Sequence, residues 1–147
     1  MRYVPIDPRF VPPAEARVAA RSWLAARLPG ADEVEAKIYE DIRFVDPGAN
    51  FEGVFCPFCG ADVMDWWMET LDATPAAIAA CEARTLPCCE REAMLNDLRY
   101  VWPAGFATFV LEARNPGLRG APDLPTADRA ALEVIVGCRL RTIWAHY

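Results

Sequence analysis

Cys56 and Cys59, separated by Pro57-Phe58 and followed by Gly60, constrain this chain more than any other feature. Thiols at i and i+3 turn towards one point when the backbone between them makes a tight knuckle. Pro57 presets that turn, and Gly60 can take the positive φ needed just after it. Farther along, Leu86-Pro87 precedes the vicinal pair Cys88-Cys89. Four thiolates at about 2.3 Å from one ion complete a tetrahedral structural zinc site. The expected ligands are therefore Cys56, Cys59, Cys88 and Cys89. Adjacent side chains diverge in a strand, so the vicinal pair can share an ion only if the backbone bends just after Pro87. Glu90-Arg91-Glu92 is compatible with a turn there. Cys81, Cys138 and His146 are the alternatives for the fourth ligand.

The run Cys56-Pro57-Phe58-Cys59-Gly60 resembles the CPxCG knuckle of zinc ribbons and rubredoxins, and the resemblance covers these five residues only. It implies a sulfur-bound metal ion in a rigid loop. The same residues are also similar to the CPYC or CPFC centre of glutaredoxins, with Thr85-Leu86-Pro87 standing where that family has its Thr-Val-Pro segment. That resemblance implies a dithiol oxidoreductase using Cys56 and Cys59. A glutaredoxin centre follows the first strand of its fold, whereas here a helix and a long strand precede it. Gly60 also suits a metal knuckle better than the first turn of a helix. Over its whole length the chain resembles a bacterial family of unknown function, which implies no activity.

Composition narrows the partners. The 147 residues carry a net charge of -6, and Lys37 is the only lysine. An acidic chain without a basic stripe argues against nucleic acid, because phosphate contacts supply most non-specific affinity. Met1-Arg2-Tyr3-Val4-Pro5 opens no apolar signal segment, and no run approaches the roughly 20 apolar residues of a membrane span. Six cysteines without an export signal read as thiols or metal ligands in a cytoplasmic protein. No catalytic set stands out: His146 is the single histidine, and a four-sulfur site has no open position for substrate. Asn50, Glu52, Asn96 and Asp97 could line a cleft, although turn-making is the plainer role for them. Of the pair Trp66-Trp67, about 100° apart on a helix, one can enter the core while the other stays partly exposed. The functional expectation is a zinc-stabilised, non-enzymatic module that binds a protein partner or a second copy of itself. The alternative is a thiol-based oxidoreductase or soft-metal sensor using Cys56/Cys59 or Cys88/Cys89.

The remaining pattern predicts a single α+β domain, an antiparallel sheet of about three to five strands with flanking helices and the knuckle embedded in it. A ferredoxin-like arrangement is one possibility. Residues 1–12 are Pro-rich and read as an extended surface segment, leaving 13–147 as the domain. Pro12-Pro13 opens a helix over about 13–28, with Val18, Leu24 and Leu28 near one face. Residues 34–45 alternate as a half-buried strand with Glu40 the one dissenter. A helix is expected over 62–72, a second helix start at Thr74-Pro75, an uncertain stretch at 93–101 and a strand over 106–113. Asn115 to Pro125 reads as a loop. From Thr126 a helix of about twenty residues is expected to run to the C-terminus, with Leu132, Val136, Leu140 and Ile143 as its apolar stripe. Arg139, Arg141 and His146 would then sit at its negative end. No internal repeat is visible.

Overall fold

The computed structural model describes residues 1–117 and 123–146. In chain order the elements are β1 (Arg2–Pro5), α1 (Ala14–Arg27), β2 (Glu33–Val45), β3 (Val54–Phe55), α2 (Met64–Ala73), α3 (Ala76–Ala79), β4 (Arg84–Thr85), β5 (Glu92–Ala93), β6 (Arg99–Tyr100), β7 (Gly105–Arg114), α4 (Thr126–Val136) and β8 (Leu140–Ile143). A 3-10 turn at Leu95–Asp97 lies between β5 and β6. Residues 118–122 of the expected loop lie outside the described residues.

The main sheet has the order β2-β7-β1-β8, and every neighbouring pair is antiparallel. Read along the chain, this is β-α-β, a long insertion over residues 46–104, then β-α-β. That order and those pairings are the ferredoxin-like split β-α-β arrangement. Tyr3, Phe109, Leu111 and Ala113 face α1 and α4, whose Ala20, Leu24, Leu132 and Val136 complete one core. A second core belongs to the insertion, where Val54, Cys56, Val63, Trp67, Leu86 and Leu95 pack with Ile42 and Phe106 of the sheet. The expected α+β class therefore holds, and the cysteine-bearing segment is inserted between the two middle strands of the fold. Among the described residues, no helix is long and apolar enough to cross a membrane.

Four local expectations need correction. Residues 2–5 are extended, but they are not on the surface. Arg2–Pro5 pairs with β7 on one side and β8 on the other, and Tyr3 and Val4 are fully buried. Four residues are too few to show alternation, and both partners of this strand lie more than a hundred residues away. The C-terminal helix is shorter than expected. It stops at Gly137, whose φ of 86° is the left-handed cap that ends helices. Leu140 then turns into the two-helix core and Ile143 to the opposite face of the sheet, as a spacing of three demands in a strand. Arg139, Arg141 and His146 consequently do not complement a helix end. Val18 points outward at 66% exposure, and Ala20 takes its place in the core. In β2 the pairing with β7 shifts between Ile38 and Arg43, where Glu40 breaks the alternation. The strand thereby hands its apolar side from the two-helix core (Val34, Ala36) to the core of the insertion (Ile42, Phe44).

Asn96 ties the insertion to the sheet. It is 4% exposed, its amide donates to Ile6 O (2.9 Å), and its Oδ1 accepts from Phe106 N (3.0 Å) and Arg141 Nη1 (3.1 Å). Asn50 donates to Trp144 O at 3.2 Å. Of the polar residues first considered for a cleft, these two act as cross-links.

On the sheet face away from the helices, Glu112 accepts from Arg2 Nε (2.7 Å) and Lys37 Nζ (2.5 Å). Burial alone would raise its pKa, but Lys37 and Arg2 outweigh it and hold the carboxyl below its usual range. A depressed folded pKa adds stability above the ordinary carboxylate range, and that stability is lost as pH falls through the folded value. Glu112→Gln should therefore cost about 1 kcal/mol at neutral pH. The gap to wild type should begin to close as pH falls below about 4 and vanish only below the depressed folded value. Urea unfolding at both pH values measures this, and a pH-independent gap would show that the ion pairs contribute nothing.

Candidate metal centre

The backbone builds the centre from two copies of one turn, a repeat that the residues themselves conceal. In the first, Cys56 N donates to Ala61 O (2.9 Å), Gly60 N donates to Cys56 O (3.1 Å), and Gly60 has φ 77°. In the second, Leu86 N donates to Arg91 O (2.8 Å), Glu90 N donates to Leu86 O (3.0 Å), and Glu90 has φ 58°. The flanking bridges correspond as well, Phe55 with Asp62 and Thr85 with Glu92. Pro57 and Pro87 occupy the same place in the two turns. The second knuckle thus carries leucine where the first has Cys56, cysteine where the first has Phe58, and glutamate where the first has Gly60.

This correspondence explains the vicinal pair. Leu86 is fully buried, as Cys56 nearly is, so this position fills the same packing role without a sulfur. Cys88, one residue before Cys89, supplies the missing sulfur from the tip of the turn. Neighbouring side chains converge there because the backbone is turning, as the expected bend after Pro87 required.

The four Sγ atoms of Cys56, Cys59, Cys88 and Cys89 lie within 4.8 Å of one another. Two contacts run across the two knuckles, Cys56 with Cys89 at 3.7 Å and Cys59 with Cys88 at 3.4 Å. Sulfurs at tetrahedral corners about 2.3 Å from an ion stand roughly 3.8 Å apart, whereas a disulfide would need about 2.05 Å. The cluster therefore has the dimensions of a metal site, and all four cysteines are free thiols. Cys56 is buried, Cys89 half-buried, and Cys59 and Cys88 are exposed.

The electrostatics favour a cation. Phe58 N and Cys59 N point at Cys56 Sγ, at 3.4 and 3.5 Å. These amides, not that of Gly60, approach the sulfur, since Gly60 N is committed to Cys56 O. Desolvation opposes ionisation of Cys56, but the amides of Cys59 and Phe58 and the thiols of Cys59 and Cys88 draw its pKa down to about 6. Cys88 is pushed up to about 12 by desolvation and by its bonds to the other three sulfurs. A cation bound by the four sulfurs would displace their thiol protons.

Cys81 lies apart, beside Ile6, Asp7, Pro8 and Arg9. Cys138 packs against the two-helix core, and His146 bridges to Gly48. None of the three alternative ligands joins the sulfur cluster. Trp67 is buried against Phe44, Phe51 and Tyr100, donating from Nε1 to Tyr100 Oη at 3.0 Å, while Trp66 remains half-buried.

Glu90 is one of two non-glycine residues with positive φ among the described residues. A side chain in that conformation costs roughly 1–2 kcal/mol. Glu90→Gly, matching Gly60, should raise stability by about 1 kcal/mol if the gain exceeds the added chain entropy of glycine. Thermal unfolding of the metal-loaded protein reads this directly, and a lowered midpoint would mean that the Glu90 side chain contributes a contact of its own.

Comparison of the chain with known protein families, with characterised proteins and with solved structures finds no match, so neither a zinc-ribbon family nor a whole-chain bacterial family is supported.

Proposed function

We propose that Cys56, Cys59, Cys88 and Cys89 bind one structural zinc ion, and that the insertion it stabilises is a non-enzymatic platform for a protein partner. The tetrahedral-scale sulfur spacing carries the first half of this reading. Soft thiolates in a four-sulfur set select zinc among abundant divalent ions, and a closed set leaves no position for substrate. The second half is supported by the outer surface of the insertion. Phe58, Met68, Ile78, Met94, Val101 and Trp102 are all exposed there. Phe58 and Arg91, one from each knuckle, stack with the guanidinium 3.7 Å from the ring centroid, which gives the pair of turns a rigid outer face.

Elemental analysis tests the metal. Purified protein should carry one zinc per chain, and Cys81→Ala and Cys138→Ala should retain it. Cys88→Ala and Cys89→Ala should each lose it faster to a chelator. A well-folded sample with no metal would end this reading, and a red, iron-loaded one would move it towards rubredoxin-like electron transfer.

A second reading, thiol chemistry, is favoured by the exposure of Cys59 and Cys88 with their sulfurs 3.4 Å apart. Cys59 with Cys88 and Cys56 with Cys89, at 3.4 and 3.7 Å, are pairs that could join across the two knuckles. A glutaredoxin-like centre also needs its motif at a helix N-terminus, where the thiol pKa is lowered. Here α2 begins only at Met64, beyond the bridge at Asp62. Turnover of a glutathione mixed disulfide, abolished by Cys56→Ser in protein that stays folded, would favour this second reading over the first.

A further inference from the structure

Away from the sulfur cluster, a cavity of about 450 Å³ opens along the outer edge of β8, walled by Trp102, Pro103, Arg129, Arg139, Arg141 and Trp144 among others. Its size lies within the range of small-molecule sites, about 300–1,000 Å³. Its charge sets it apart on a chain of net charge -6. The Asp123 carboxylate in the wall is already neutralised, since Arg129 Nη1 and Thr142 Oγ1 both donate to it at 2.7 Å and Tyr3 Oη donates at 3.0 Å. Arg129 is in turn fixed by that carboxylate and by Leu140 O.

Arg141 is different. Its guanidinium donates from Nη1 to Ala104 O (2.7 Å) and Asn96 Oδ1 (3.1 Å), and from Nη2 to Asn96 O (3.0 Å). All three acceptors are neutral. Of the five N–H donors of an arginine, the Nε hydrogen and one Nη2 hydrogen are left over. Those two form the fork that receives a carboxylate edge-on. Burial works against the charge, and only Tyr100 and Asp97 favour it through space. Arg139, just before β8, lines the same cavity, is exposed and takes part in no ion pair among the described residues. Trp144 adds a buried indole N–H that has no acceptor among the described residues. Two guanidinium groups with no ion-pair partner among the described residues, one of them locked in place, thus line one cavity with two tryptophans.

We propose that this cavity is a binding site for a small, flat carboxylic acid, with its carboxylate on Arg141 and Arg139 and its ring against Trp102 and Trp144. The locked fork of Arg141 supplies orientation at little entropic cost, and the tryptophans supply apolar contact. The cavity holds no cysteine, but Trp102, Pro103 and the acceptors of Arg141 belong to the insertion, so the site requires a folded insertion, whichever ion holds it.

Titration of the zinc-loaded protein with benzoate, followed by tryptophan fluorescence, tests this, with benzamide and inorganic phosphate as the comparison probes. Benzoate should give a saturable change, and both other probes should bind at least about tenfold more weakly, because each lacks half of the recognition. Arg139→Glu breaks no side-chain hydrogen bond or ion pair among the described residues and should fold normally, yet weaken benzoate by at least about tenfold. Arg141→Lys keeps the charge but loses the fork and should weaken benzoate as well. Benzamide or phosphate binding as tightly as benzoate would overturn the proposal. So would benzoate affinity indifferent to Arg139→Glu, or no saturable response at millimolar benzoate.

Discussion

Replacing Cys56 with serine should remove the zinc and unfold the insertion, and it should do so more severely than the same change at Cys59 or Cys88. Cys56 serves the molecule twice. Its side chain is 1% exposed and packs in the core with Val54, Val63, Trp67 and Leu86. Its sulfur is the one that two backbone amides address. A serine hydroxyl is no substitute for a thiolate ligand, and in the buried position it would leave both polar demands and packing unmet. Structural zinc contributes about 10–16 kcal/mol of apparent binding free energy in small peptides. That is comparable to the whole stability of a typical domain, about 5–15 kcal/mol. The loss should not remain local. Asn96 binds Ile6, Phe106 and Arg141 at once, so an insertion that loosens also releases β7, β8 and the residue just after β1. Circular dichroism melting should show Cys56→Ser collapsing to a low, broad transition, and wild-type protein treated with chelator should behave alike. Cys81→Ser, outside the cluster, is the control. An unchanged melting curve for Cys56→Ser would mean that the cluster contributes no stability.

The clustering of Cys56, Cys59, Cys88 and Cys89 was legible because the chemistry is local. The Cys-Pro-Phe-Cys-Gly run specifies its own turn, and proline before Cys88 specifies the next bend. The repeat of that turn was not legible, because the second copy kept only the proline and one cysteine in register. Leu86, Cys88 and Glu90 occupy the positions of Cys56, Phe58 and Gly60, and only the hydrogen bonds and the positive φ of Glu90 reveal the match. Long alternating strands were equally plain, β2 and β7 above all, as was the breaking of β2 near Glu40. Short strands were not. Arg2–Pro5 and Leu140–Ile143 hold four residues each, fewer than a periodicity needs to declare itself. Their conformation is set by partners distant in sequence. At Leu140–Ile143 the error had a specific source: a stripe at helical spacing was carried through Gly137, the residue that ends the helix. The cavity along β8 was invisible for the same reason, since it exists only once β8 and the residue before it bring Arg141 and Arg139 to the cavity that Trp102 also lines.

Deleting residues 138–147 should abolish soluble, cooperative folding, for a reason different from the loss of a helix. The deletion removes β8, which pairs with β1 along Arg2–Pro5. Without it β1 becomes an edge strand four residues long, held on β7 by a short register at Arg2 and Tyr3. Leu140 and Ile143 are 2% and 0% exposed, and they close opposite faces of the sheet. Burying each is worth about 1.5–3 kcal/mol. Their loss opens the two-helix core and the cluster of Val4, Val45, Ala107 and Val110 on the opposite face, and the hydrogen bonds of a four-residue ladder go with them. Arg141 takes three more bonds to Asn96 and Ala104, so the tie between sheet and insertion weakens in the same step. Together these losses approach the 5–15 kcal/mol that separates a typical folded domain from its unfolded chain. Arg141→Met, which keeps the strand and removes only the tie, should be milder, folded but lower-melting by several degrees (about 2–4 °C per kcal/mol in this size range). Expression of both variants beside wild type, with solubility and melting as readouts, separates the two contributions. A truncated protein that melts like wild type would show that β8 adds nothing to the fold, and an Arg141→Met variant as insoluble as the truncation would shift the weight from the strand to the single guanidinium.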